Sequence, residues 1–318
     1  LRNNKFTKLF ESLTGMYGWP NYGEFDPTPI LAPFFLLFFA MCMGDCGYGI
    51  LLMIIGLLIS KKKLNISMFD GLGPIITVLG VGTTVVGFFL GTFMGMDLYS
   101  AEWVPQALKN VMIKGNVMGY DIQMVLAICI GVFHICLAMI VKAICSTQQL
   151  GFKENIANWA WTLLIVGGLI VTILGMTVLP QEVFKWAIIT VAIVSALGIY
   201  VFNTPGRNPL INIGSGLWDT YNMATGILGD VLSYIRLYAL GLAGGKLGEA
   251  FNTLGEMVLG DGIVSWVPFV LIFAIGHILN LAMSALGAFV HPLRLSFVEY
   301  FKNAGYEGKG TLYQPLKK

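Results

Sequence analysis

Leu232-Ser233-Tyr234-Ile235-Arg236-Leu237-Tyr238-Ala239-Leu240 places an arginine inside an apolar stretch long enough to cross a bilayer, with no acidic residue three or four positions away. A guanidinium keeps its proton at any ordinary pH. Holding that fixed charge at membrane depth costs roughly 3 kcal/mol on insertion scales, so an intramembrane arginine marks function by default. Residues outside this segment support the membrane reading. Of 318 residues 56% are hydrophobic and 11% charged, and the mean hydropathy is +0.77, far from an ordinary soluble domain. The expectation is an all-α polytopic membrane protein.

A helix needs roughly 20 apolar residues to cross about 30 Å of hydrocarbon. Segments 71–93, 122–145, 159–179, 184–202, 217–259 and 264–301 qualify. The run 30–60 opens on Pro29 and Pro33 and is interrupted by Gly44-Asp45-Cys46-Gly47, which fits either one long helix or a hairpin of two short ones. The positive-inside rule favours the hairpin. With it, Arg2, Lys5, Lys8, Lys61, Lys62, Lys63, Lys142, Lys153, Arg207, Lys302, Lys309, Lys317 and Lys318 share one face, and only Lys109, Lys114 and Lys185 lie on the other. Eight transmembrane helices with both termini cytoplasmic are therefore expected. Residues 1–29 are a cytoplasmic lead-in, 30–301 the transmembrane domain and 302–318 a cytoplasmic tail. The last two spans are about 60 Å long at 1.5 Å per residue, so they must tilt, bend or project, and Pro292 is a bend point that frees the carbonyl of Ala288. The chain opens on Leu1 and a basic Arg2–Phe10 segment, which reads as the continuation of an upstream domain. No internal repeat is evident.

Polar residues within the spans fall into patterns. Asp219, Asn222, Asp230 and Ser233 recur within about 40° on a 3.6-residue helix, on the cytoplasmic side of Arg236. Beyond Arg236, Glu249, Asn252, Thr253 and Glu256 follow the i, i+3, i+4, i+7 pattern toward the opposite surface. Two hydratable acidic faces separated by a fixed positive charge are what two aqueous half-channels with a barrier between them require; interhelical hydrogen bonding at a helix end explains the outer group as well. Gly241, Gly245 and Gly248 form a small-residue strip suited to close helix approach, and Lys246 lies within a turn of Glu249, where the pair is neutralising. Arg294, with His291 one turn before and Glu299 after, is either a second intramembrane arginine or an interface anchor that snorkels. His134, His277 with Asn280, and Asp45 in its glycine-rich interruption read first as hydrogen-bonded core or turn residues. The five cysteines show no C-x-x-C pair or metal spacing, and a net charge of +2 gives no footprint for nucleic acid. Neither a phosphate-binding glycine loop nor a Ser/His/Asp constellation is visible, so no cofactor, metal or catalytic residue is assigned and the chain reads as non-catalytic.

Met43-Gly44-Asp45-Cys46-Gly47-Tyr48-Gly49, the segments 232–242 and 290–299, and the tail Tyr306-Glu307-Gly308-Lys309-Gly310 together resemble the membrane domain of subunit a of eukaryotic vacuolar ATPases, called subunit I in bacterial and archaeal V/A-type enzymes. The resemblance covers nearly the whole chain, in the family's order and spacing. The lead-in Asp26-Pro27-Thr28-Pro29 looks like the prokaryotic branch, implying a prokaryotic cell membrane. The resemblance implies a stator that faces a rotor ring of small proteolipid subunits, meets peripheral stalk subunits, is driven indirectly by a catalytic ATPase head, and passes H⁺ or Na⁺. It implies that Arg236 faces the ring's ion-carrying carboxylates and that Arg294 sits nearby; from the residue patterns themselves, Leu240 and Ala243 are expected on the rotor-facing side and Glu249, Glu256, Asp230, Ser233 and His291 in the ion path. Eukaryotic members carry a histidine and a carboxylate where this chain has Gly244 and Ser284, so those two roles do not transfer. The competing reading is a secondary transporter whose Arg236 binds an anionic substrate; it predicts transport by this chain alone. A structural scaffold is the third, and predicts that neutralising Arg236 leaves coupled transport intact.

Overall fold

The computed structural model describes residues 3–61, 71–178, 180–202, 208–260 and 262–311. Arg2, Lys62, Lys63, Arg207, Lys317 and Lys318, used above for orientation, lie outside the described residues. The described chain is mostly helical. Short helices α1 (Lys5–Leu9) and α2 (Glu11–Tyr17) precede α3 (Thr28–Met43), α4 (Cys46–Ser60) and α5 (Gly73–Leu90). Two small hairpins follow, β1 (Thr92–Phe93) with β2 (Met96–Asp97), and, after the short α6 (Gln106–Lys109), β3 (Asn116–Val117) with β4 (Tyr120–Asp121). Then come α7 (Ile122–Leu150), α8 (Ile156–Thr162), α9 (Gly168–Thr177), α10 (Gln181–Tyr200), α11 (Pro209–Ser233), α12 (Ile235–Val258), α13 (Trp266–Arg294) and α14 (Phe301–Ala304). Among the described residues six helical stretches are long and apolar enough to cross a membrane, and α3 and α4 are shorter apolar helices. The last two stretches run 49 and 42 residues, 210–258 and 263–304. Ile170, Ile173 and Leu174 of α9 and Ile189, Ile193 and Val194 of α10 are exposed, a surface that suits hydrocarbon better than water.

The run 30–60 is a hairpin. Pro29 lies in the first turn of α3, where its missing N–H costs nothing, and Gly44 ends the helix in the left-handed conformation at φ 58°. Helix α4 runs antiparallel to α5, with Cys46 against Gly87, Met53 against Gly80 and Ser60 against Gly73. Helix α3 runs the other way along α5, since Leu36 meets Gly82 and the Thr92 hydroxyl bonds the Gly44 carbonyl. The chain therefore reverses at Gly44-Asp45. Between α4 and α5 the backbones nearly touch, because Gly49 and Gly56 face the backbone of Thr84 and Thr77. In lipid, where no hydrophobic force joins helices, such close packing is the main source of association.

The chain divides into two compact units, the first made of 1–17, 26–130 and 233–297, the second of 18–25, 131–232 and 298–318. In the first, α3 is central. Phe35 and Phe38 are buried, and their rings meet Phe289 of α13 edge-on at 6.0 Å and Tyr234 at 5.6 Å. Helices α12 and α13 pair antiparallel, with Gly244 against Ser284, Phe251 against Gly276 and Gly255 against Phe269. In the second unit, His134 stacks on Tyr300 at 4.5 Å. There the lead-in and tail are joined, as Tyr306 Oη donates to the Gly18 carbonyl at 2.8 Å and the Glu307 amide to Glu24 Oε1 at 2.8 Å.

Both long stretches carry an irregularity beside an arginine. The first breaks at Tyr234, two residues before Arg236. In the second the helix continues through Pro292, and its hydrogen bonding widens to π-type over Leu295–Tyr300, directly after Arg294. The π segment thus begins just past the proline at which the sequence suggests a bend; such segments favour functional positions. Replacing Gly49 by Val puts a side chain into the Thr84 backbone, and should lower the stability of the solubilised membrane sector by about 2 kcal/mol in thermal unfolding. Gly245→Ala, whose added methyl meets nothing within 4 Å, should leave it unchanged; equal behaviour of the two variants would contradict the packing.

Candidate functional site

Arg236 is half-buried, its Nη1 is shielded from solvent, and that nitrogen has no hydrogen-bond partner among the described residues. No carboxylate among them forms an ion pair with it; the pairs present are Lys114–Asp97, Lys246–Glu249, Lys302–Asp230 and Lys309–Glu307. Running the α12–α13 register eight residues back from Gly244 and eight on from Ser284 brings Arg236 level with Pro292. His291 accordingly lies within electrostatic range of both Arg236 and Arg294, and its Nδ1 is buried without a partner among the described residues. Arg294 itself is exposed. Arg236, Arg294 and His291 are thus brought together. Leu240, half-buried, and Ala243, exposed, lie on the helix stripe of Arg236. Ala239, Leu247, Ala250 and Leu254 widen this into an exposed face of small and leucine side chains.

Around the far side of α12 lies a cavity of about 260 Å³. Its α12 wall is Tyr238, Gly241, Leu242, Gly245, Lys246 and Glu249, and the rest comes from the α3 end, the β hairpins and the start of α7, with Asp97, Lys114, Asp121 and Gln123. The small-residue strip explains part of this wall. A side chain at Gly241 would meet the Met41 carbonyl and one at Gly248 the backbone of Gly95, whereas Gly245 faces open space. Lys246 Nζ pairs with Glu249 Oε2 at 2.6 Å, and Lys114 pairs with Asp97. Tyr238 Oη donates to Asp121 Oδ2 at 3.1 Å, while Asp121 Oδ1 accepts from the Gln123 amide at 3.0 Å.

The outer acidic stripe does not act as one face. Glu249 lines the cavity, but Asn252 turns inward, donating to the Met94 carbonyl at 2.9 Å and meeting His277 Nε2 at 2.8 Å. Thr253 bonds the Glu249 carbonyl, and Glu256 is exposed and outside the cavity wall. His277 and Asn280 are core residues joined to Tyr48, whose hydroxyl lies 2.7 Å from His277 Nδ1 and accepts from Asn280 Nδ2 at 2.8 Å. Asp45, almost fully buried, caps α4 by accepting from the Gly47 and Tyr48 amides, and also from those of Met94 and Gly95 at 2.8 and 2.9 Å. Met94 and Gly95 are the two central residues of the β1–β2 turn, both at positive φ, as a two-residue I′ hairpin requires. Asp45 therefore holds together the α3–α4 reversal and the turn that floors the cavity.

In the second unit Asp230 is buried, accepts from Asn303 Nδ2 at 2.7 Å and lies 3.5 Å from Lys302 Nζ. Glu299 is buried in the π segment, its carbonyl accepting from Asn303. Asp219 is half-buried and Asn222 exposed, both on α11, and Ser233 is half-buried at its end. Tyr238, Asp97, Lys114 and Asp121 carry polar groups that helical periodicity does not single out. A signal existed for Asp121, an N-cap aspartate directly ahead of the apolar run from 122, and Met118-Gly119 before it forms the β3–β4 turn, again at positive φ. Among the described residues no three His, Cys, Asp or Glu side chains group as a metal site.

The profile of the V-type ATPase 116kDa subunit family matches residues 1–110 and 220–318. The chain is 34% identical to the A-type ATP synthase subunit I of Methanocaldococcus jannaschii, over 100% of this chain and 48% of that protein. It is 31% identical to the A-type ATP synthase subunit I of Pyrococcus abyssi, over 99% and 47%. It is 30% identical to the V-type ATP synthase subunit I of Borreliella burgdorferi, over 94% and 50%. The chain spans about half the length of these relatives. An arginine with no partner among the described residues, set in a helical stretch apolar and long enough to cross a membrane and with a polar cavity on the far side of its helix, thus occurs in a chain that belongs to the V-type ATPase 116kDa subunit family.

Proposed function

We propose that this chain is the ion-translocating membrane part of a rotary ATPase stator, with eight crossings, the last two long stretches tilted, and the lead-in and tail on the cytoplasmic side of a prokaryotic cell membrane. The observation that carries the reading is Arg236 Nη1, shielded from solvent and without a hydrogen-bond partner among the described residues. A guanidinium left so at membrane depth is costly unless something outside this chain uses it. The user is a carboxylate on a rotating ring of small membrane subunits that packs on the exposed face of α12 around Leu240 and Ala243. Catalysis of ATP chemistry belongs to a separate head, and the peripheral stalks join through the part of the relatives that this chain does not span.

A ring carboxylate travels through lipid neutral, with its H⁺ or Na⁺ bound. On meeting Arg236 the ionised form is favoured. At 4 Å and an effective dielectric near 20, the pair gains roughly 4 kcal/mol before desolvation, and desolvation keeps the contact transient. The released ion leaves by one aqueous route, and an incoming ion reloads the carboxylate from another. The cavity beside Tyr238, Glu249 and Asp121 serves as the outer route. Asp230 with Ser233 marks the inner one, Arg294 supports Arg236 with added positive charge, and His291 lies beside both. The same fixed charge prevents direct leakage between the routes. That no anionic partner of Arg236 is found among the described residues also weighs against a scaffold role, for which Arg236 needs a permanent counter-charge.

Two outcomes follow. In liposomes holding the whole complex, Arg236→Ala should abolish ATP-driven ion uptake while assembly and detergent-solubilised ATPase activity persist; uptake near the native rate would make the arginine structural. Uptake by this chain without ring and head would instead favour the secondary transporter. A thiol at Gly245→Cys should react with charged, membrane-impermeant reagents applied from the outer side and not from the cytoplasmic side; the reverse sidedness would displace the cavity from the outer route.

A further inference from the structure

The cavity walls hold three carboxylates and two lysines, and the pairing between them is unequal. Asp97 is matched by Lys114 and Glu249 by Lys246. Asp121 is held only by neutral donors, the Tyr238 hydroxyl at 3.1 Å and the Gln123 amide at 3.0 Å, and among the described residues no lysine or arginine forms an ion pair with it. The uncompensated negative charge of the cavity therefore resides on Asp121. Tyr238 is also the cavity residue nearest in the chain to Arg236, two positions along α12. The two side chains leave the helix on opposite sides, about 200° apart, so Tyr238 fixes Asp121 behind α12 while Arg236 faces the ring side.

We propose that Asp121, positioned by the Tyr238 hydroxyl, is the carboxylate through which the coupling cation passes in the outer route, and that the Lys114–Asp97 and Lys246–Glu249 pairs are neutral wall. This rests on the function proposed above. A route needs enough attraction for a cation to enter and too little for it to stay. One half-buried carboxylate with neutral partners meets that condition, whereas a cage of several would trap the ion. The neutral pairs leave the net charge at a single point, held against α12 by Tyr238.

The test uses the whole complex in liposomes, with Asp121→Asn, Asp121→Glu, Tyr238→Phe and the charge-neutral double variant Asp97→Asn/Lys114→Gln. Each is scored for ATP-driven uptake beside Arg236→Ala. Each also carries Gly245→Cys for comparison of labelling by cationic and anionic methanethiosulfonates, read on the labelled peptide. Asp121→Asn should slow uptake at least tenfold, Asp121→Glu should restore it to within about threefold, Tyr238→Phe should slow it severalfold, and the double variant should stay near native. The cationic-to-anionic labelling ratio should fall severalfold in Asp121→Asn, as for loss of one charge about 10 Å away in water. Native uptake in Asp121→Asn overturns the assignment. So does slowed uptake with an unchanged labelling ratio and no rescue by Glu, which leaves Asp121 as the cap of α7 alone. Should Asp121→Asn not assemble, native uptake in Tyr238→Phe overturns it instead. Uptake that persists in Arg236→Ala is a separate failure, that of the proposed function.

Discussion

A guanidinium that cannot discharge and pairs with no carboxylate among the described residues is the constraint on which the rest of the molecule depends. The cost of placing Arg236 at membrane depth is offset neither by an ion pair among the described residues nor by a hydrogen bond to Nη1. What surrounds it is arranged to present it. Tyr234 breaks the helix just before it, α3 packs Phe38 against that tyrosine, and α13 brings His291 and Arg294 to the same level. A structural salt bridge would have satisfied the charge internally and made it inert. Leaving it unsatisfied suits a partner that comes and goes.

The cavity depends on Asp45. With two oxygens it accepts four amides, two that start α4 and two in the β1–β2 turn. These tie the end of α3, where the chain reverses, to the hairpin that closes the cavity beside Gly241 and Gly248. The Tyr48–His277–Asn252–Asn280 network then fixes α4 against α12 and α13, satisfying each buried polar group as a low-dielectric interior demands. A rigid floor of this kind lets one wall of α12 line open space while its other side stays clear. The glycines divide the same labour, Gly241 and Gly248 being pressed against backbone and Gly245 being open.

Much of this was legible in the sequence, and the remainder has a physical reason for being hidden. The hairpin at 44–45 could be read because glycine turns and lysine distribution are local signals, and the Lys246–Glu249 pair because i, i+3 neighbours meet on any helix. Arg236 stood out in the sequence by its chemistry alone, as a fixed charge in an apolar run. Periodicity failed at the outer stripe. Glu249 and Asn252 lie about 60° apart, which reads as one face, but the edge between cavity and core falls between them. The partners of Asp45 were invisible because Met94 and Gly95 lie about fifty residues away in a turn with no helical pattern. Asp97 and Lys114 escaped for the same reason, lying between α5 and α7 where no helical pattern runs, and the cap signal of Asp121 did not reveal its partner Tyr238, more than a hundred residues away.

The central claim, that Arg236 is held for a moving carboxylate on another subunit, is tested most directly by an electron cryomicroscopy map of the complete complex. The account predicts the Arg236 guanidinium within about 4–5 Å of a ring carboxylate, the distance of a direct or loosened ion pair, with the Leu240–Ala243 face of α12 against the ring. A carboxylate of a fixed subunit permanently paired with Arg236, and the ring resting on some other helix, would contradict it.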